Sequence, residues 1–167
     1  QLVLALAQLN AARTALASKS PNLDVCIASA TEALVLAPHS EELRLLRAEC
    51  HLRKSEWESA VGDLSRASTL SPNLSPHLLV RLSLVNSLFL DHGLEIPAES
   101  WSSLKRCITA DPESKPCRAG LKTLKKLERE LAKLRNWIEG GRWGDASLAL
   151  SGQGGSGGLI EQVRQVI

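Results

Sequence analysis

The chain has 167 residues, 44% of them apolar, which suffices for a core in one or two domains. A net charge of +2 makes no case for nucleic acid, and no secretory signal, transit peptide or apolar run of membrane-spanning length is recognisable. Phe89, Trp57, Trp101, Trp137 and Trp143 are the only aromatics, so bulky packing positions fall mostly to Leu. Gln1 at the start and the absence of Met lead us to expect an internal piece of a longer protein.

Residues 2–18, dense in Leu and Ala, read as a first helix broken at Ser20-Pro21-Asn22. Asn22 then caps a second helix running to about Ala37. Ser40, followed by the acids Glu41 and Glu42, opens a third, whose stripe of Leu43, Leu46, Cys50 and Leu52 ends near Lys54. Ser55 and Glu58 match a capping box for a fourth helix, with Trp57 placed between helices. Ser75 and Pro76 pair as cap and first helical residue of a fifth. A looser turn around Asp91-His92-Gly93 and Pro97 leads to a sixth. Leu121, Leu124, Leu127, Leu131, Leu134 and Ile138 describe one long amphipathic helix from Lys115 to Glu139. Gly141, Trp143, Ala146 and Leu150 then give the turn and second helix of a repeat, followed by a Gly-rich loop at 152–158 and the start of another apolar helix at Leu159.

These elements repeat. Pro38, Pro72 and Pro112 are each preceded by a small residue at twelve (Cys26, Ala60, Ser100), an aliphatic residue or Ala at eight (Ala30, Leu64, Leu104), and a small residue at five (Ala33, Ala67, Cys107). The first two prolines are 34 residues apart, the period of the tetratricopeptide (TPR) helix pair. Small residues suit a close helix contact, and proline fits beyond a helix end. The expected fold is all-α, a TPR superhelical solenoid of antiparallel helix pairs, an architecture that usually binds and seldom catalyses. Three units and the start of a long bridging helix occupy 1–126, and 127–167 begins the next TPR subdomain.

Chemical motifs do not assemble. Gly152, Gly154 and Gly157 fit a dinucleotide-type glycine pattern, but no strand precedes them, and no Lys-Ser or Lys-Thr follows for a phosphate loop. His39, His51, His77 and His92 are scattered, and no Cys or His spacing suits zinc. No nucleophile, base or metal cluster can be built, so neither an enzyme nor a cofactor is expected. Asn73-Leu74-Ser75 is a formal glycosylation sequon, although Ser75 doubles as a helix cap and Pro76 follows it.

Two charge features stand out. Residues 115–135 hold eight basic and two acidic side chains, either a solvated helix face or a surface for an acidic partner or client segment. Without interleaved aromatics it does not suit single-stranded nucleic acid. The second feature is a lack of clamp charges on the first helices of successive units, where Leu2, Ala11, Ala15, Leu46 and Val80 fall. An apolar inner face of that kind suits exposed hydrophobic segments of polypeptide better than a carboxylate terminus.

The stretch Glu42 to Cys50, the pair Arg106-Cys107 with Cys117 ten residues on, and Ile138 to Ala146 together resemble the middle repeats of the endoplasmic-reticulum co-chaperones that join TPR repeats to a J domain, the DnaJ homologue subfamily C member 3 or protein-kinase-inhibitor family. The resemblance covers about residues 20 to 150. The longer third unit and the Gly-rich loop depart from the pattern and suggest a fungal branch. What it implies is a luminal protein whose repeats hold unfolded polypeptide, with a J domain outside this chain working with the BiP heat-shock chaperone in the unfolded-protein response. The alternative is a scaffold that docks one folded partner, such as a protein kinase. The resemblance also favours a disulfide between Cys107 and Cys117, which face each other across a short turn; without it, Cys107 simply fills a small-residue position. Cys26 and Cys50 lie on apolar faces and are expected as buried free thiols.

Overall fold

In a computed structural model, residues 2–71, 75–89, 93–152 and 158–159 are described. They form eight helices and, among the described residues, no strand: α1 (Leu2–Ala17), α2 (Leu23–Leu36), α3 (Glu41–Arg53), α4 (Trp57–Leu70), α5 (Pro76–Phe89), α6 (Ala98–Ala110), α7 (Lys115–Glu139) and α8 (Trp143–Ser151). Start signals operate locally at three helices, at Asn22 and Ser40 as expected and at Ser114, which the sequence did not single out. The side chains of Asn22, Ser40 and Ser114 accept the backbone N–H of Val25, Leu43 and Cys117, relieving donors that a helix start leaves unpaired. The sequon at Asn73 and most of the Gly-rich loop lie outside the described residues.

The proline-anchored repeat translates directly into packing. All nine positions counted back from the three prolines are at most 2% exposed. The small side chains at seven of them, all but Leu64 and Leu104, let each second helix approach its neighbours closely. The chain divides into two compact units, Gln1–Leu74 and Ser75–Ile167. In the first, α1 packs on α2, α2 on α3 and α3 on α4. Its core has one cluster of Leu9, Ala33, Leu34 and Leu43 and another of Ala12, Cys26, Ala30 and Cys50. In the second, α5 packs on α6, α7 on both, and α8 on α7, around Leu84, Leu104, Leu124 and Leu127.

The α5–α6 contact also contains a buried polar seam. Ser83 Oγ donates to the Ser100 carbonyl at 2.8 Å, and Asn86 Nδ2 donates to Ser100 Oγ at 3.4 Å. Ser100 is the small repeat residue of this unit, and its hydroxyl is satisfied across the helix pair. Gly120, on α7, is needed for a different reason: a Cβ there would stand 2.8 Å from Val80 Cγ1 and 3.1 Å from Leu104 Cδ2.

One expected cap does not form. Ser55 adopts φ 63°, and Glu56 occupies the N-cap of α4 without a side-chain bond. The reason lies in the preceding helix. The N–H of Ser55 bonds Leu52 O and the N–H of Glu56 bonds His51 O, the paired geometry that closes a helix through one left-handed residue, so Ser55 ends α3 rather than starting α4. The α7–α8 turn repeats this arrangement. Gly141, at φ 70°, donates to Ile138 O, and Arg142 donates to Trp137 O. In both turns a tryptophan follows as the first residue of the next helix, Trp57 or Trp143, and a buried alanine comes three residues later, Ala60 or Ala146.

Candidate functional site

The residues expected on the inner apolar face fall into different environments. Ala11 is exposed on α1. Ala15 and Leu46 are half-buried and meet in the Ala12–Cys26–Ala30–Cys50 cluster, where Leu46 also touches the cluster around Leu9. Val80 belongs to the second unit, where it packs against the Leu84–Leu104 cluster and under Gly120. Leu2 opens α1, and its side chain lies outside the described ones. The more open apolar side chains of α1 are ones the sequence reading did not single out: Val3 is 81% exposed, Leu4 55% and Leu6 49%. The signal was present in the composition of α1, where apolar residues occupy every side of the helix and a single neighbouring helix pair cannot cover them all.

Charge is used to join helices within the first unit. Arg47 on α3 donates from Nε and Nη2 to the two carboxylate oxygens of Asp63 on α4, each at 2.7 Å. Arg44 approaches the same carboxylate at 3.6 Å. The bond to Asp63 raises the pKa of the Arg47 guanidinium against the opposing effect of burial. Near the start of α4, Lys54 Nζ bridges Asp24 of α2 at 2.8 Å and Glu56 at 2.7 Å, while His51 Nδ1 lies 2.7 Å from the other Glu56 oxygen. The bond from Lys54, then that from His51, holds the Glu56 carboxyl below its ordinary range. The carboxylates of Asp24 and Glu56 hold Lys54 above its own.

All four cysteines are paired. Cys107 of α6 and Cys117 of α7 are joined with Cα atoms 5.8 Å apart. Cys26 of α2 and Cys50 of α3 are joined as well, with Cα atoms 6.3 Å apart. The expectation of free thiols at Cys26 and Cys50 is thereby corrected. Each lies on the apolar face of its own helix as expected, but those faces belong to neighbouring helix pairs and press together in one cluster. The Cα separation is within the range a disulfide spans.

Among the described residues no helix is long and apolar enough to cross a membrane. No family model matches the chain. Relatives do. A tetratricopeptide repeat and J domain-containing co-chaperone DNJ1 of Cryptococcus neoformans var. grubii is 35% identical over 131 residues, which are 78% of this chain and 24% of that protein. The human DnaJ homolog subfamily C member 3 is 33% identical over 106 residues, 64% of this chain and 20% of the relative. The crystal structure of the P58(IPK) TPR domain superposes over 97% of this chain and 40% of its own length, with a TM-score of 0.65 and 25% identity. The homologues of this chain are TPR and J domain-containing co-chaperones. Its helix pairs are TPR repeats, as the proline spacing predicts. The matched part is about a quarter of the length of the fungal relatives, at 24%, 28% and 26%.

Proposed function

We propose that this chain is a polypeptide-holding TPR segment of an endoplasmic-reticulum co-chaperone. It captures unfolded or misfolded protein for a BiP-type heat-shock chaperone, which is engaged by a J domain elsewhere in the protein, in support of folding and the unfolded-protein response. The observation that carries this reading is the exposed apolar surface of α1, Val3, Leu4 and Leu6, on a chain whose homologues are co-chaperones. Four cysteines in two disulfides suit an oxidising lumen. Within the first unit, Ala11 extends the apolar surface of α1, and Ala15 and Leu46 contribute their uncovered edges; Leu2, at the start of the same helix, is included from the sequence alone. Val80 contributes separately in the second unit. Burial of such side chains stabilises contact by about 25 cal/mol per Å² before ordering costs, so binding is expected to be modest and tolerant of sequence.

We also place a subdomain boundary near residues 126 and 127, within α7. The Ser55–Trp57 and Gly141–Trp143 turns share one geometry, which supports reading the end of α7 with α8 as a further helix pair. The functional test is suppression of aggregation of several unrelated denatured proteins by the chain and by Leu4→Glu/Leu6→Glu, both checked for folding by thermal melting. Loss of suppression in the folded variant is the expected result. Binding confined to one folded protein, a kinase for instance, would instead favour the docking-scaffold reading.

A further inference from the structure

The long helix α7 has two faces of opposite character. Cys117, Gly120, Leu124, Leu127 and Leu134 are buried. At about 100° per residue, the basic positions Arg118, Lys122, Lys125, Lys126 and Arg129, bounded by Lys115 and Lys133, fall within an arc of about 100° on the far side, along about 27 Å of helix. All of them are exposed. Acidic neighbours neutralise only part of the row. Arg118 pairs with Glu113 at 2.5 Å and Lys133 with Glu130 at 2.9 Å. Arg129 donates from Nε to the Lys125 carbonyl at 3.1 Å. Lys115, Lys122 and Lys125 have no ion pair among the described residues. Cations a turn apart on one helix repel each other, and a multivalent anion laid along them relieves that repulsion.

The chemistry of the arc narrows what that anion is. It contains no aromatic residue on which a nucleic-acid base could stack. It also lacks large apolar side chains that would enter a bilayer, because the apolar face of α7 is packed against α5 and α6. We propose that this face of α7 is a second binding surface, for an acidic stretch of extended polypeptide, held by charge and separate from the apolar contacts of α1.

The probe is a fluorescein-labelled peptide alternating Glu with Ser, compared with its Gln counterpart by fluorescence anisotropy on the whole chain. The Glu peptide is expected to bind and the Gln peptide not to. Raising ionic strength from about 0.05 to about 0.3 M is expected to weaken binding at least about tenfold. Lys122→Glu/Lys125→Glu is expected to weaken it at least about tenfold, whereas Lys19→Glu, outside the row, should change it less than about twofold. Lys125→Gln, a milder change on an exposed position, is expected to lose about threefold and covers the case in which the double variant does not fold. The proposal is overturned if the Glu peptide does not bind, if the folded variants bind as tightly as the wild type, or if duplex DNA or phosphatidylserine vesicles compete better than the unlabelled acidic peptide.

Discussion

Arg47 grips both carboxylate oxygens of Asp63, and Asp63 is only 3% exposed. The pair fastens α3 to α4 through a buried charge, and the consequences of losing its two members differ. Arg47→Ala leaves a buried carboxylate with only the more distant Arg44 nearby and should cost about 3 kcal/mol. Asp63→Ala leaves a guanidinium that is 18% exposed and can turn toward water, so its cost should be smaller. Urea denaturation of both variants and the double variant measures the coupling, and equal costs would contradict this account.

Acid should weaken the first unit through Glu56. Its carboxyl is held below its ordinary value of 4.5 by Lys54 and then His51. The stabilisation is therefore fully present above that unfolded value and lost as pH falls through the lower folded value. The thermal midpoint of the wild type should drop more steeply between about pH 5 and about pH 3 than that of Glu56→Gln. Lys54 behaves in the opposite sense. Its pKa is raised above 10.5, so its contribution persists below that value and disappears as pH rises through the higher folded one. Parallel acid profiles for wild type and Glu56→Gln would remove Glu56 from the account.

Gly120→Ala should destabilise the second unit even though alanine favours helix. The new Cβ would meet Val80 Cγ1 at 2.8 Å, and a β-branched side chain within a helix has few other rotamers to adopt. The overpacking cost is about 1–3 kcal/mol against a propensity gain of about 1 kcal/mol. Adding Val80→Ala should relieve the clash, and the test is whether chemical denaturation shows the double variant to be more stable than the sum of its parts predicts.

Replacing a disulfide by two alanines should lower stability by an amount that rises slowly, as the logarithm, with the length of the loop it closes. The Cys26–Cys50 bond spans 24 residues and the Cys107–Cys117 bond spans 10. In the chain-entropy description these correspond to about 3.5 and about 2.8 kcal/mol. All four cysteines should resist alkylation in the folded, unreduced protein. Labelling of Cys26 would show that the first bond is absent.

The helices and their pairing were legible because they depend on local signals: caps, breaks, and the small residues counted back from Pro38, Pro72 and Pro112. The Ser55–Glu58 box misled because the same residues can close one helix or open the next, and backbone bonds to His51 and Leu52 decide between them. Cys26 and Cys50 were placed on the correct faces, but their meeting depends on how neighbouring helix pairs stack, which periodicity within each helix does not encode. The surface residues were less legible for the same reason. Leu46 and Val80 have the spacing of an open face and are nevertheless half covered by adjacent helices, while Val3 and Leu6 remain open.

Both disulfides occupy the same kind of position. Each ties the second helix of one pair to the first helix that follows it, α2 to α3 and α6 to α7. In a linear array, where stability is a sum of repeat and nearest-neighbour contributions, such a link strengthens the neighbour contribution in particular. The linked repeats should therefore exchange their amide hydrogens as one cooperative block while oxidised, and as separate, faster-opening segments once reduced.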